Sequence, residues 1–226
     1  MTPTHPPVEA LLLDFGSVMS VSVFERHRET ETLLGLAPGS LGWRGPIEPE
    51  TDALWQAMQR DEITERDYWA ARARELGEAI GEPGWDMLAM LTRLRQTDPN
   101  AVIRPQIKRL ICAARGAGIR VGILSNELEL FYGQHFLERM DVLREMEVII
   151  DATHTNVLKP DPRAYALATA AFGLAPQDML FVDDQRRNVV GALAVGMPAL
   201  HFDLRDVPGS IAAVARRLGL AAEECE

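Results

Sequence analysis

Cysteine is almost absent from this 226-residue chain, which contains only Cys112 and Cys225. The sequence has no Cys-x-x-Cys pair and no His/Cys spacing typical of a metal-ligand set, so a disulfide scaffold and a structural zinc site are both excluded. Its five histidines form no ligand pattern either, and we expect each to lie at the surface or satisfied in the core. Reduced cysteines are typical of the cytoplasm, which is where we expect the protein.

Positive charge and long apolar runs are also scarce. Lys and Arg number 23 against 33 Asp and Glu, giving a net charge of -10, and no basic cluster interrupts the chain. A nucleic-acid partner is therefore not expected. No apolar run approaches the ~20 residues that cross a bilayer, and Met1 to Pro7 contain no basic targeting segment, so we expect no membrane association. A small anionic ligand remains compatible with this composition, because a few local donors decide its binding.

Hydrophobic residues make up 47% of the chain, and they are grouped in short runs that predict strands. The five runs of strand length are Val8 to Phe15, Ile119 to Ser125, Glu147 to Asp151, Met179 to Asp183 and Pro198 to Phe202. Helical periodicity separates the later runs over Phe131 to Val142, Arg163 to Phe172 and Arg187 to Val195. This alternation predicts an α/β fold with a doubly wound parallel sheet covered by helices on both faces.

Strand signals are missing between about Phe24 and Thr97, where the pattern predicts helices. We expect one helix capped by Thr51, a second with a capping box formed by Thr64 and Asp67, and a third over 86–96. All four tryptophans lie in this region, at positions 43, 55, 69 and 85, which favours a second apolar core. The sequence thus predicts a core formed by 1–22 and 99–226, with an inserted all-helical cap over 23–98.

Polar side chains that can carry chemistry follow three of the predicted strands. These are Asp14, the pair Ser125 and Asn126, and the pair Asp183 and Asp184; Lys159 lies in a loop before a helix. The carboxyl ends of parallel strands are the ligand-binding edge of an α/β sheet, so we expect these groups to converge. Any one of them could be only a helix cap or a surface loop residue, but their joint occurrence favours a site.

The set suits the transfer of a phosphoryl group, which requires a positioned nucleophile and neutralisation of the phosphate oxygens. Asp14 and Asp184 supply the oxygen ligands that Mg²⁺ prefers. We expect Asp183 to hold a metal-bound water and Asn188 to hydrogen-bond to it. The Ser125 hydroxyl and the Lys159 ammonium would then grip the remaining phosphate oxygens.

In this order the residues resemble the four motifs of the haloacid dehalogenase superfamily. The motifs would be Leu12 to Val18, Ile123 to Asn126, Lys159 to Pro162 and Phe181 to Asp184. The resemblance implies an aspartyl-phosphate intermediate on Asp14, Mg²⁺ bound by Asp14, the Gly16 carbonyl and Asp184, and phosphate bound by Ser125, Asn126 and Lys159. It also implies a helical cap that closes over the substrate. The first and third motifs are similar to those of glucose-1-phosphatase-like enzymes and of the N-terminal phosphatase domain of soluble epoxide hydrolase.

One position departs from the pattern of most phosphatases in this superfamily. They carry a second Asp two residues after the nucleophile as general acid and base, whereas this chain has Gly16. The glucose-1-phosphatase-like branch that it resembles also has glycine there, so the departure leaves the acid/base unassigned without weakening the resemblance.

Three functions stay open at this point. The first is a phosphatase acting on a small phosphorylated metabolite such as a sugar phosphate, and the second is a haloacid dehalogenase in which Asp14 is alkylated without a metal. The third is a ligand-binding protein that has lost turnover together with the acid/base. The loop from Leu41 to Pro46 adds a question, because Trp43 and Arg44 could face the substrate.

Overall fold

The computed structural model describes residues 8–94 and 98–221, and the described chain contains one parallel β-sheet. Its five strands are β1 (Ala10–Leu13), β2 (Arg120–Ser125), β3 (Val148–Asp151), β4 (Met179–Asp183) and β5 (Ala199–His201). They are arranged in the order β3-β2-β1-β4-β5, and every neighbouring pair is parallel. The predicted doubly wound α/β fold is confirmed.

Strand β1 lies at the centre of the sheet because both of its faces are apolar. Leu11 and Leu13 belong to the hydrophobic core on one face, and Ala10 and Leu12 belong to the core on the other. All four residues are fully buried. Alternating residues of a strand point to opposite faces, so a continuous apolar run is what a sheet covered on both sides requires.

A π-helical turn follows β1 at Phe15–Met19, and eleven α-helices are present within the described residues. They are α1 (His27–Leu34), α2 (Ala53–Gln59), α3 (Glu65–Ala79), α4 (Met87–Leu94), α5 (Pro105–Gly116), α6 (Leu128–Tyr132), α7 (Gln134–Leu137), α8 (Ala152–Thr155), α9 (Pro162–Phe172), α10 (Arg186–Ala194) and α11 (Val207–Leu218). Short 3₁₀ turns span Pro49–Thr51, Pro99–Val102, Asp141–Glu145 and Pro176–Asp178. Helices α5 and α11 contribute to the core on one face of the sheet, and α9 and α10 to the core on the other. None of the helices in the described ranges is both long and apolar enough to cross a bilayer.

Helices α1 to α4 form a separate apolar cluster beyond the sheet. Phe24, Trp55, Tyr68 and Trp69 are buried together there with Met58. The two segments that connect this cluster to the sheet run side by side: Val21 N–H donates to the Val102 carbonyl (2.8 Å), and a β-bridge joins Ser20 to Ile103. The boundaries of the cap at 23 and 98 stay a prediction, and residues 95–97 lie outside the described chain.

Two local predictions about helix ends in the cap have different outcomes. The capping box of Thr64 and Asp67 is confirmed, with both reciprocal hydrogen bonds present. The prediction that Thr51 caps a helix is wrong, because Asp52 takes that position and accepts the Trp55 N–H. The Asp52 carboxylate also accepts from the Tyr68 hydroxyl and pairs with buried Arg72, so its partners lie on two helices.

A continuous helix over Phe131 to Val142 was also predicted, and this prediction is wrong. Helix α6 ends at Tyr132, and Gly133 has φ 74° and ψ 145°, a conformation that breaks the helix. Helix α7 follows for one turn, and the chain then forms the 3₁₀ turn at Asp141–Glu145. Glycine reaches positive φ without steric cost, so it can end one helix and start another in a new direction.

Candidate active site

The predicted residues converge at the carboxyl edge of the three central strands. Asp14 directly follows β1, Ser125 ends β2 and Asp183 ends β4. Because β1 pairs with both β2 and β4, these strand ends are neighbours in the sheet. A cavity of about 450 Å³ opens above this edge and is lined by Asp14, Gly16, Ser125, Asn126, Lys159 and Asp184 among others.

Three carboxylates form a compact acidic cluster at this edge. One oxygen from each of Asp14, Asp183 and Asp184 lies within 4.8 Å of the others, and all three residues are buried. Burial raises the pKa of Asp14 above its ordinary value, although Lys159 opposes this effect. Burial and the neighbouring Asp183 and Asp14 carboxylates raise the pKa of Asp184 as well. Buried oxygens at this spacing fit a hard divalent cation such as Mg²⁺, which would relieve their repulsion.

Lys159 provides a cation inside the site. Its ammonium donates to Asp14 Oδ1 and to Asp183 Oδ2, each at 2.7 Å, and the residue is 2% exposed. Burial alone would lower the pKa of Lys159, but Asp14 and Asp183 raise it, so the side chain stays protonated. It therefore holds the nucleophile candidate in place and can neutralise charge that develops beside it.

Asp183 is oriented from several sides. Asn188 Nδ2 donates to both of its carboxylate oxygens at 3.1 Å, and the Gln185 N–H donates to Oδ1 at 2.8 Å. The hydrogen bond expected from Asn188 is thus present. Asp183 also accepts a hydrogen bond from the Lys159 ammonium. Because its carboxylate is held by these neighbours, we infer that Asp183 positions the ammonium as well as belonging to the acidic cluster.

Asn126, which we expect to bind phosphate, is hydrogen-bonded in this structure to Lys159 and to a residue of the cap. Its Oδ1 accepts the Lys159 N–H at 2.7 Å, and its Nδ2 donates to the Lys159 carbonyl at 3.2 Å and to Glu65 Oε2 at 3.0 Å. In this structure Asn126 therefore fixes the lysine loop and meets the cap. Ser125 Oγ accepts from the Glu127 N–H at 3.4 Å and faces the cavity.

The turn after Asp14 approaches the cavity through its backbone. Ser17 has a positive φ of 63°, which is unusual for a non-glycine residue, and Arg104 holds it by donating to the Ser17 carbonyl at 2.7 and 3.1 Å. Gly16 itself has an ordinary φ of -62°. A Cβ placed there would meet only Asp14 Oδ2, at 3.9 Å, so the backbone does not require glycine at this position.

The cap contributes carboxylates that sequence reasoning missed. Glu65, the first residue of α3, lines the cavity and accepts from Asn126. The next residue, Arg66, donates to Glu127 Oε1 at 2.7 Å and so joins the cap to the core. Burial raises the pKa of Glu127 to about 7, although Arg66 opposes the rise. The acidic first turn of α3 was visible in the sequence, but nothing local indicated that it points at the core.

The loop from Leu41 to Pro46 does not reach this cavity. Trp43 is 6% exposed and packs against the His27 ring with centroids 4.4 Å apart. Arg44 lies 3.8 Å from Glu48, and neither Trp43 nor Arg44 lines the cavity. The aromatic side chains that do line it come from elsewhere in the cap, such as Trp55 and Trp69, and from the core, such as Phe15 and Phe131.

Comparison with known proteins shows which family the chain resembles. The haloacid dehalogenase-like hydrolase family matches residues 8–196. A phosphoglycolate phosphatase of Escherichia coli O157:H7 is 30% identical over 171 residues, covering 69% of this chain and 68% of the relative. An L-2-haloacid dehalogenase superposes with a TM-score of 0.60 at 20% identity, covering 88% of this chain and 87% of that one. A β-phosphoglucomutase of Clostridium difficile superposes with a TM-score of 0.50 at 15% identity, covering 89% of each chain.

Proposed function

The chain belongs to the haloacid dehalogenase-like hydrolase family, and on this premise we propose that it is an Mg²⁺-dependent phosphatase of a small phosphomonoester. The observation that supports this most is the buried cluster of Asp14, Asp183 and Asp184 beside the Lys159 ammonium. The similarity to phosphoglycolate phosphatases agrees with it.

The proposed chemistry starts at Asp14. One of its carboxylate oxygens attacks the phosphorus atom, the bond to the ester oxygen breaks, and the phosphoryl group remains on Asp14. The alcohol leaves as an alkoxide and takes a proton from water. Water then hydrolyses this acyl phosphate and releases inorganic phosphate. When bound, Mg²⁺ held by Asp14, Asp184 and the Gly16 carbonyl would neutralise the phosphate and make attack by an anionic carboxylate possible.

Three residues of the chain bear on the charge and on the proton in these steps. Lys159 offsets negative charge on Asp14 and on the phosphoryl oxygens, and its two carboxylate partners hold it there. Ser125 presents its hydroxyl to the cavity beside them. Gly16 offers no proton to the leaving alkoxide, so departure should be easiest for alcohols of low pKa.

Dehalogenation is the second candidate, and the superposition with a haloacid dehalogenase concerns the fold alone. Displacement of a halide from carbon needs no divalent cation, whereas this chain brings Asp184 and Asp183 against Asp14. The acidic cluster therefore favours phosphate chemistry. A sugar phosphate as the substrate and a cytoplasmic setting remain predictions.

The test is hydrolysis of p-nitrophenyl phosphate with and without Mg²⁺. We expect activity that requires the metal, is abolished in Asp14→Asn, and is retained in the matched control Asp141→Asn, whose side chain is 70% exposed. Acid-quenched protein should carry phosphate on Asp14 in tryptic peptides. Metal-independent activity, or activity that survives Asp14→Asn, would disprove the proposed mechanism.

A further inference from the structure

The cavity above Asp14 has an apolar wall formed mainly by the cap. We define this wall by Phe24, Trp55, Trp69, Leu91 and Phe131, all of which line the cavity. The Phe24 ring packs edge-on against Trp55 with centroids 5.5 Å apart, and Trp69 packs edge-on against Phe131 at 5.4 Å. Phe131 comes from α6 of the core, so the wall continues from the cap to the strand edge that carries Ser125.

Charge in the cavity is predominantly negative. Of its charged lining residues, five are acidic and two are basic: Asp14, Glu29, Glu65, Glu127 and Asp184 against Arg26 and Lys159. Both cations already have carboxylate partners, since Arg26 lies 2.6 Å from Glu29 and Lys159 lies 2.7 Å from Asp14. Arg66 offsets Glu127 from outside the lining, so the excess negative charge comes from Glu65 and Asp184. A divalent cation and a phosphate dianion cancel each other, so a further anionic group on the substrate would meet net negative charge.

Hydroxyl groups near the wall are also engaged with the protein. The Tyr132 hydroxyl donates to Ser20 Oγ at 3.1 Å, and Ser22 Oγ accepts the Glu25 N–H at 3.2 Å. A polyhydroxylated ligand would have to lose its hydration against this apolar wall, and two of the hydroxyls beside the wall already have protein partners. Burying unpaired hydroxyls is unfavourable, whereas burying an apolar ring there is favourable.

From the apolar wall and the acidic lining we infer that this phosphatase selects phosphomonoesters of uncharged, apolar alcohols. Esters whose alcohol carries a carboxylate are disfavoured, and so are those rich in hydroxyls, so the inference replaces the sugar phosphate expected from the sequence. The inference rests on the proposed function and narrows its substrate. The inferred substrate differs from the one in the name of the phosphoglycolate phosphatase relatives, because the alcohol of phosphoglycolate carries a carboxylate.

A panel of three primary alkyl phosphates tests the inference without changing the type of leaving group. Cyclohexylmethyl phosphate and glucose 6-phosphate present six-membered rings of similar size, one apolar and one hydroxylated, and 2-phosphoglycolate presents a carboxylate. With saturating Mg²⁺ we expect kcat/KM to be highest for cyclohexylmethyl phosphate by about tenfold or more, mainly through KM.

Two variants connect the preference to the wall and to the charge. Phe131→Ala should lower kcat/KM for cyclohexylmethyl phosphate by about tenfold. Leu130→Ala is the matched control, because Leu130 is its neighbour on α6, is 37% exposed and does not line the cavity. Glu65→Gln removes one negative charge, so it should raise the relative rate on phosphoglycolate.

The outcomes separate the two proposals. If glucose 6-phosphate or phosphoglycolate is hydrolysed as efficiently as cyclohexylmethyl phosphate, the inference about the alcohol is overturned and the phosphatase function stands. If Phe131→Ala and Leu130→Ala behave alike on cyclohexylmethyl phosphate, the wall does not select the substrate and the inference is also overturned. If neither the panel nor p-nitrophenyl phosphate is hydrolysed with Mg²⁺, the proposed function fails and the inference falls with it.

Discussion

Replacement of Lys159 by methionine perturbs the site at its buried cation. The methionine side chain has a similar length, so the change removes the charge and two hydrogen bonds while keeping most of the volume. Asp14 and Asp183 each lose a donor at 2.7 Å, and both are buried. Removal of one partner from a buried ion pair typically costs about 3–5 kcal/mol of stability, because the remaining charge is unpaired.

The size of this loss should depend on pH. Burial already raises the pKa of Asp14, and loss of the ammonium would raise it further. A carboxyl group whose pKa is higher in the folded than in the unfolded state destabilises the fold where it is ionised, and the penalty shrinks as pH falls and it takes up a proton. We therefore expect Lys159→Met to be more destabilising at pH 8 than at pH 5.

Urea unfolding without Mg²⁺ at these two pH values measures the stability, and initial rates with Mg²⁺ measure catalysis. By analogy with other removed electrostatic donors, kcat/KM should fall by about 10²–10³. Lys108→Met is the matched control, since Lys108 is an exposed lysine on α5 whose ammonium donates to the Asn100 carbonyl at 3.2 Å. If Lys159→Met stays within about 0.5 kcal/mol of the parent in stability and about twofold in kcat/KM, the role assigned to Lys159 is wrong.

Three further predictions concern the metal, the missing acid and a buried histidine. Asp184→Asn should steeply raise the Mg²⁺ concentration needed for half-maximal activity, and an unchanged Mg²⁺ titration would remove Asp184 from the site. Gly16→Asp, which the φ of -62° permits, should raise rates on alkyl phosphates far more than on p-nitrophenyl phosphate; equal rates of the parent on both classes would show that another group already supplies the proton. His27 is 4% exposed, and burial lowers its pKa from 6.5 to about 4. Because the unfolded chain binds this proton more readily, the stability that neutral His27 contributes is present above about pH 6.5 and lost as pH falls toward 4. Relative to His27→Gln, the parent should lose up to about 3 kcal/mol over this range in urea unfolding, and parallel pH profiles would contradict the assignment.

His27 also shows where expectations from sequence fail. The histidines were expected to lie at the surface or satisfied in the core, but the His27 ring is buried and neither of its nitrogens has a hydrogen-bond partner within the described residues. The ring packs edge-on against Trp43. Nothing in the sequence around His27 indicates this, because Trp43, whose ring it contacts, lies 16 residues further along the chain.

The sequence alone determined the five strands along the chain and the residues at the strand ends. Continuous apolar runs such as Leu11 to Leu13 can be buried on both faces only in a covered sheet, and the parallel arrangement then places Asp14, Ser125 and Asp183 on one edge. These consequences follow from local pattern and chain connectivity, so they could be predicted from one sequence.

Only the tertiary structure decided which groups complete the site. Glu65 and Phe131 line the cavity because α3 of the cap and α6 of the core pack together there, and Asn126 holds the Lys159 loop through contacts 33 residues apart in sequence. The helix cap formed by Asp52 likewise has a partner remote in sequence, because the Tyr68 hydroxyl donates to the same carboxylate. Hydrogen bonds and packing between segments that are remote in sequence produce no periodic pattern in the chain. The roles of these residues in the site could therefore be identified only from the tertiary structure.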